Sequence, residues 1–155
     1  MSSDPQWLTS TEQDAWLSLV AVLFRLPGML DTQLQRDAGL SHFEYLVLAV
    51  LSETPSRTLR MSDLAVLVNG SLSRLSHVVQ RLEKRGWVRR APCPTDGRYT
   101  DARLTEAGYT KVVESGPGYV RIVRSLVIDA LTPAQHAQLS DISGEIINHL
   151  DQAAS

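Results

Sequence analysis

The apolar positions of this chain recur at three- and four-residue steps over most of its length and alternate with polar ones in two short stretches. Trp16, Leu19, Val20, Leu23, Leu26, Leu30 and Leu34 share one helical face. Thr9 and Glu12 have the spacing of a capping box at its start, and Gly39 marks its end. Pro27 is expected to kink this helix rather than end it, because the period continues beyond it. A second helix should open with a capping box at residues 41–44 (SHFE) and bury Phe43, Leu46, Val47, Val50 and Leu51. Residues 58–61 read as extended, followed by a short helix capped by Ser62 and a tight turn at Asn69-Gly70. Ser71 then caps a helix whose buried stripe is Leu72, Leu75, Val78, Val79 and Leu82, with Gly86 just past its end. Residues 87–91 and 99–104 alternate like strands of a hairpin, with Pro92 and Pro94 restricting the loop and the turn expected at Asp96-Gly97. Thr105 caps a helix expected to be interrupted at Gly116-Pro117-Gly118 and to resume through Val120, Val123, Leu126 and Val127. Thr132-Pro133 opens the last helix, which carries Leu139, Ile142, Ile146 and Leu150 on one face.

Composition narrows the class. A chain of 155 residues suits one domain, with 43% hydrophobic and 21% charged residues as in ordinary soluble proteins. No continuous apolar run approaches the ~18–20 residues of a membrane span, and the N-terminus lacks the basic and apolar regions of a signal peptide. The expectation is a cytoplasmic protein with no membrane partner. Cys93 is the single cysteine, so neither an intramolecular disulfide nor a resolving thiol for a redox pair exists. His42, His77, His136 and His149 are too scattered for an obvious metal set, and no metal or cofactor is expected. Phosphate-binding loops, nucleophile elbows and zinc-protease motifs are missing, which argues against an enzyme.

Charge is unevenly spread. The net charge is -2, yet residues 71–103 hold eight basic and three acidic side chains, a local balance of +5. Such asymmetry suits a localised anion-binding surface. A short helix, a turn and a longer helix, followed by a hairpin, form the pattern of a winged helix-turn-helix. The longer helix offers Ser73, Arg74, Ser76, His77, Gln80, Arg81 and Lys84 away from its apolar stripe, groups suited to base edges and phosphates. An arginine on the hairpin, Arg98, suits the minor groove, where the potential is most negative. The candidate DNA-binding residues are therefore Ser71, Ser73, Arg74, Ser76, His77, Arg81, Lys84 and Arg98.

The stretch SLSRLSHVVQRLEKRGWVRR (71–90), followed by DGRYTDARLTEAG (96–108), resembles the MarR family of bacterial transcriptional regulators. Asp96, Arg98, Leu104 and Thr105 fit that family's Asp-x-Arg-x(5)-Leu-Thr wing, and RLEKRG before the first wing strand is equally typical. The resemblance covers essentially the whole chain. It implies a mainly α fold with a small β-wing, organised as a single domain: dimerisation helices at about 9–38 and 105–152, and the winged helix-turn-helix at about 41–104. It further implies an obligate homodimer on a pseudo-palindromic operator, more often as repressor than activator. Arg98 would read the minor groove, and Asp96 would hold the wing by pairing with an arginine, either Arg98 itself or Arg81. The stripes Leu19-Leu23-Leu30 and Leu139-Ile142-Ile146-Leu150 suit the subunit interface. Leu72 and Ser73 stand where many members carry a polar residue and proline, so an operator sequence does not carry over from relatives. Trp16, Phe24, His42 and Tyr45 are candidates for an effector cleft, whose ligand class would be a small aromatic or phenolic molecule; plain packing is their other role. The competing reading is a helical protein-interaction module, or a regulator that has lost DNA binding.

Overall fold

The computed structural model describes residues 5–155. In chain order these residues form α1 (Ser10–Ala38), α2 (His42–Glu53), β1 (Thr58–Arg60), α3 (Met61–Leu67), α4 (Leu72–Lys84), β2 (Val88–Cys93), β3 (Asp96–Leu104), α5 (Glu106–Leu126), a 3-10 turn at Ile128–Ala130 and α6 (Pro133–Ala154). The chain divides into a larger compact unit ending at Gly118 and a smaller one, Tyr119–Ser155.

Local chemistry starts the helices where the sequence indicates. The Thr9 and Glu12 side chains satisfy each other's backbone N–H groups at 3.2 and 2.8 Å, and Gly39 ends α1 in the left-handed region. Thr132 and Gln135 repeat the box on α6, with Pro133 in its first turn. At α2 only half the expected box forms. The Ser41 hydroxyl accepts from the Glu44 N–H at 3.1 Å, while the Glu44 carboxylate pairs with Arg81 instead. Ser62 does not cap α3: Arg60 holds that position without a side-chain bond, and Ser62 lies inside the helix.

The core of the larger unit is built from Leu34 of α1, Val47, Leu48 and Leu51 of α2, Leu64 of α3, Leu75, Val79 and Leu82 of α4, and Val88, Ala102 and Leu104 of the sheet, all but fully buried. The turn between α3 and α4 uses Asn69 in the left-handed region. At Gly70 a Cβ would come within 2.7 Å of the Phe43 ring, so a larger residue there would require that ring to shift. Leu72 departs from expectation. It is 53% exposed, and the α4 stripe closes with Leu75, Val78, Val79 and Leu82 alone.

The sheet has order β1-β3-β2 and is antiparallel throughout. Its register runs regularly from Val88↔Leu104 to Pro92↔Thr100 and then jumps to Cys93↔Asp96. Residues 97–99 are thereby left over on β3 as a bulge, and the chain reverses at Pro94-Thr95, not at Asp96-Gly97. Arg98 consequently stands within that bulge, past the turn itself. Prolines explain the displacement: Pro92 and Pro94 cannot donate to a regular ladder.

The long helices bring further departures. α5 runs unbroken through Gly116-Pro117-Gly118, whereas α1 continues past Pro27, as its apolar period indicates. Ser115 and Ile122, on either side of Pro117, are both buried, so packing at both ends offsets the local cost of the proline. The apolar face of α1 is buried only at Leu30 and Leu34; Trp16, Leu17, Val22, Leu23 and Phe24 are exposed. Although broken by charges, α1 contains an 18-residue stretch apolar enough to cross a membrane by length and composition, which corrects the sequence reading. Such a stretch is equally that of a helix built to pack.

Helix α4, the β2–β3 hairpin and α5 meet at one junction. Gly86 adopts φ 77° after α4, and its carbonyl accepts from the Thr105 hydroxyl at 2.6 Å. The same hydroxyl accepts from the Gly108 N–H at 3.0 Å. A Cβ on Gly108 would overlap the Trp87 carbonyl and the Leu104 side chain. Gly86→Ala should cost about 1–2 kcal/mol for the left-handed backbone, and Gly108→Ala about 1–3 kcal/mol or more for the overlap. Urea midpoints at unchanged slope measure both; wild-type midpoints would refute this account of the junction.

Candidate nucleic-acid interface

Burying Leu75, Val78, Val79 and Leu82 at helical spacing turns the remaining faces of α4 to solvent. Ser71, Ser73, Arg74, His77, Arg81 and Lys84 are exposed there. Ser71 is also the cap, its hydroxyl accepting from the Arg74 N–H at 3.1 Å. The Arg74 guanidinium stacks 4.2 Å above the Phe43 ring, which fixes its plane while leaving its N–H edge available. Arg81 is steadied by Glu44 at 3.5 Å. Ser41, Phe43, Ser71, Ser73, Arg74, His77 and Arg81 line an open groove of about 550 Å³ along this side of α4.

Ser76 is engaged differently. It is half-buried and accepts from Arg90 Nη1 of β2 at 3.2 Å. Arg90 Nε in turn pairs with Glu83 at 2.6 Å, so one arginine ties the wing to two positions on α4. No sequence signal marks Arg90 out, because its partners come from another element. Leu72, Ser76, Arg90, Arg98, Tyr99 and Thr100, with Met61 and Ser62, line a second groove of about 290 Å³. Arg98 and the first turns of α4 therefore border the same groove.

Asp96 pairs with Arg98 itself, not with Arg81. Arg98 Nε and Nη2 donate to its carboxylate at 3.0 and 2.7 Å, and the Arg98 backbone N–H donates at 3.1 Å. Those bonds hold the Asp96 carboxyl below its ordinary pKa and raise that of Arg98. The Arg98 side chain remains 83% exposed. Tyr99 beside it lies under Arg60, 4.3 Å from ring to guanidinium. Cys93 is buried at the turn, its Sγ 3.3 Å from the Thr95 hydroxyl. Hydrogen bonding to Thr95 lowers that thiol's pKa.

The basic segment is not one patch. Arg85 reaches back to the Gly39 carbonyl at 2.7 Å and stacks on Trp87, making it a structural tie. Arg89 and Arg103 face each other across β2 and β3 and are exposed. Arg57, unremarked in the sequence, adopts φ 52°, pairs with Glu106 at 3.1 Å and stacks on Tyr109 at 3.8 Å.

The effector candidates do not gather in one place. Trp16 lies 15 residues, about 22 Å of helix, from Asp31, whose carboxylate accepts from the His42 N–H at 2.7 Å. Phe24 is 83% exposed, whereas Tyr45 is buried. Burial lowers the pKa of His42 against the opposing pull of Asp31.

Known proteins share this fold. The MarR family model matches residues 38–98. Sco3205 from Streptomyces coelicolor, a MarR family transcriptional regulator crystallised in complex with DNA, is 46% identical at TM-score 0.91, covering 96% of this chain and 93% of that one. AbsC, a MarR family transcriptional regulator from the same organism, is 38% identical at TM-score 0.89, covering 96% and 99%. The transcriptional repressor MprA of Escherichia coli K12 is 26% identical over 114 residues; the match covers 74% of this chain and 64% of that relative's length. On the strength of such identity across nearly the whole of both Streptomyces proteins, the chain belongs to the MarR family of transcriptional regulators.

Proposed function

We propose that the chain binds double-stranded DNA as a homodimer and represses transcription from a pseudo-palindromic operator. The observation that carries this reading is the shared groove: the wing arginine Arg98 and the N-terminal turns of α4 border one channel. With α4 in the major groove, a DNA strand running along that channel passes between α4 and Arg98, and Arg98 enters the next minor groove. Ser73, Arg74 and His77 then approach base edges, while Arg81 and Lys84 approach phosphates. The protein acts in the cytoplasm, where the chromosome is, and by binding rather than catalysis.

A second copy covers the bare apolar faces of α1 (Leu17, Leu23, Phe24) and α6 (Leu139, Ile142, Ile146, Leu150). A monomer rarely leaves so many large apolar side chains in water. Trp16 and Phe24 accordingly serve the subunit interface. His42 and Tyr45, at the start of α2, remain the residues toward which a small aromatic effector would be directed. An effector there would act by changing the separation of the two α4 helices, which must match about 34–36 Å of duplex. Light scattering at micromolar concentration should return twice 17.1 kDa; a clean monomer would exclude the palindromic operator.

The decisive experiment selects bound duplexes from a random pool and measures affinity over a salt series. Arg98→Ala should lower the salt slope by roughly two for a dimer with both wings engaged, with folding and dimerisation unchanged. Asp96→Ala should weaken binding although it removes negative charge, because the arginine is then no longer held. The Asp96–Arg98 pair has a depressed acid pKa, so it is intact above the unfolded value of about 4 and is lost only as pH falls below that. Operator binding should therefore show no Asp96-dependent loss between pH 6 and 8. An Arg98→Ala protein with wild-type affinity and slope would reduce the wing to a structural hairpin.

Roles within α4 separate in the same assay. Arg74→Ala should cost about 1–3 kcal/mol on the selected site and relax preference at one base. Lys84→Ala should weaken selected and random DNA alike. Equal losses on both DNAs for both variants would refute the division.

A further inference from the structure

We propose that Leu72 reads the 5-methyl group of a thymine in each operator half-site. The inference rests on the DNA-binding reading above and adds a specificity-determining residue to it. Leu72 is the first residue of α4, and the helical period would bury it, yet it is 53% exposed. The core has no need of it, since Leu75, Val78, Val79 and Leu82 complete the buried stripe. It caps nothing either, because Ser71 performs that function.

Its surroundings favour one occupant. Leu72 borders the groove shared with Ser76, Arg98 and Tyr99, on the wing side of α4. Side chains at the N-terminal end of a recognition helix reach base edges first. One turn further on, the Ser76 hydroxyl accepts from Arg90, which holds it in place on that flank. Leu72 is thus the apolar surface that this side of the helix offers to a base. The hydrogen-bonding groups on the major-groove edges are donors and acceptors; the thymine methyl is the one apolar group that projects into the groove. Seating that methyl on Leu72 removes apolar surface from both partners, and no polar group loses a partner.

The test takes the duplex selected by the wild-type protein and replaces each thymine in turn with deoxyuridine, which deletes the methyl and keeps the base pair. One thymine per half-site should respond, with affinity falling about four-fold per half-site for the lost methyl burial. Leu72→Ala should bind the parent duplex more weakly and be indifferent to uracil at that position, whereas Leu72→Met should keep the sensitivity. Circular dichroism and light scattering should match wild type, as expected for an exposed position. A wild-type protein indifferent to every uracil overturns the inference, and so does a Leu72→Ala protein as uracil-sensitive as wild type. Equal losses for Leu72→Ala on selected and random duplexes would assign Leu72 to the sugar-phosphate backbone and overturn it too. Failure to select any duplex would sink the DNA-binding reading itself, a result distinct from the others.

Discussion

Arg90, held between Glu83 and Ser76, sets the wing against the recognition helix, and the geometry of the whole interface depends on that spacing. Its energy is modest: a partly exposed ion pair contributes at most about 1 kcal/mol. The four buried residues of α4 contribute about 1.5–3 kcal/mol each. Burial therefore decides that α4 folds onto the core, and Arg90 decides where the hairpin stands relative to it. A hairpin attached only at its base would swing; two hydrogen-bonded points on α4, about two turns apart, restrict that motion. The Gly86–Thr105–Gly108 junction supplies the second constraint, because it fixes where β2 leaves α4 and where β3 enters α5.

What was legible in the sequence was mostly local. Caps at Thr9, Ser41, Ser71 and Thr132 depend on side chains three residues from the groups they satisfy, so spacing alone reveals them. The unread features depend on partners distant in the chain. Glu44 leaves its expected box for Arg81, 37 positions away. Leu72 fits the helical period, but whether that edge of the stripe is covered depends on how the wing is placed. The break expected at Gly116-Pro117-Gly118 followed helix propensity, which packing of Ser115 and Ile122 overrides. Arg98 was legible from its place on the hairpin and from the family pattern, while its bidentate pairing with Asp96 is a geometric fact that the pattern only implied.

The apolar face of α1 shows why composition alone is ambiguous. A helix with such a face can belong to a core, a membrane or a partner subunit. Here the C-terminal third is built into the core through Leu30 and Leu34, while the preceding turns stay bare. Arg25, next to Phe24, would be costly at the centre of a bilayer. At a subunit interface its long side chain can reach water while its stem packs. The same helix thus joins one protomer's core to the surface proposed for the other.

Arg98 adds an electrostatic argument. Asp96 neutralises it before any DNA arrives, which appears wasteful for a cationic contact. Asp96, however, engages only Nε and Nη2, and a guanidinium has five N–H donors. Nη1 and the second Nη2 hydrogen remain for another acceptor, such as the minor groove in the binding mode proposed above, and the pairing holds them in a single plane. An exposed, unpaired arginine would lose about 2 kcal/mol of rotamer freedom on docking. Because the Asp96–Arg98 pair is local to the bulge of β3, that ordering is established as the wing folds. The carboxylate weakens the long-range attraction of the wing for DNA, while the net +5 of residues 71–103 retains it. In the binding mode proposed above, attraction and positioning fall to different groups, with Arg74, Arg81 and Lys84 supplying the first and the paired Arg98 the second.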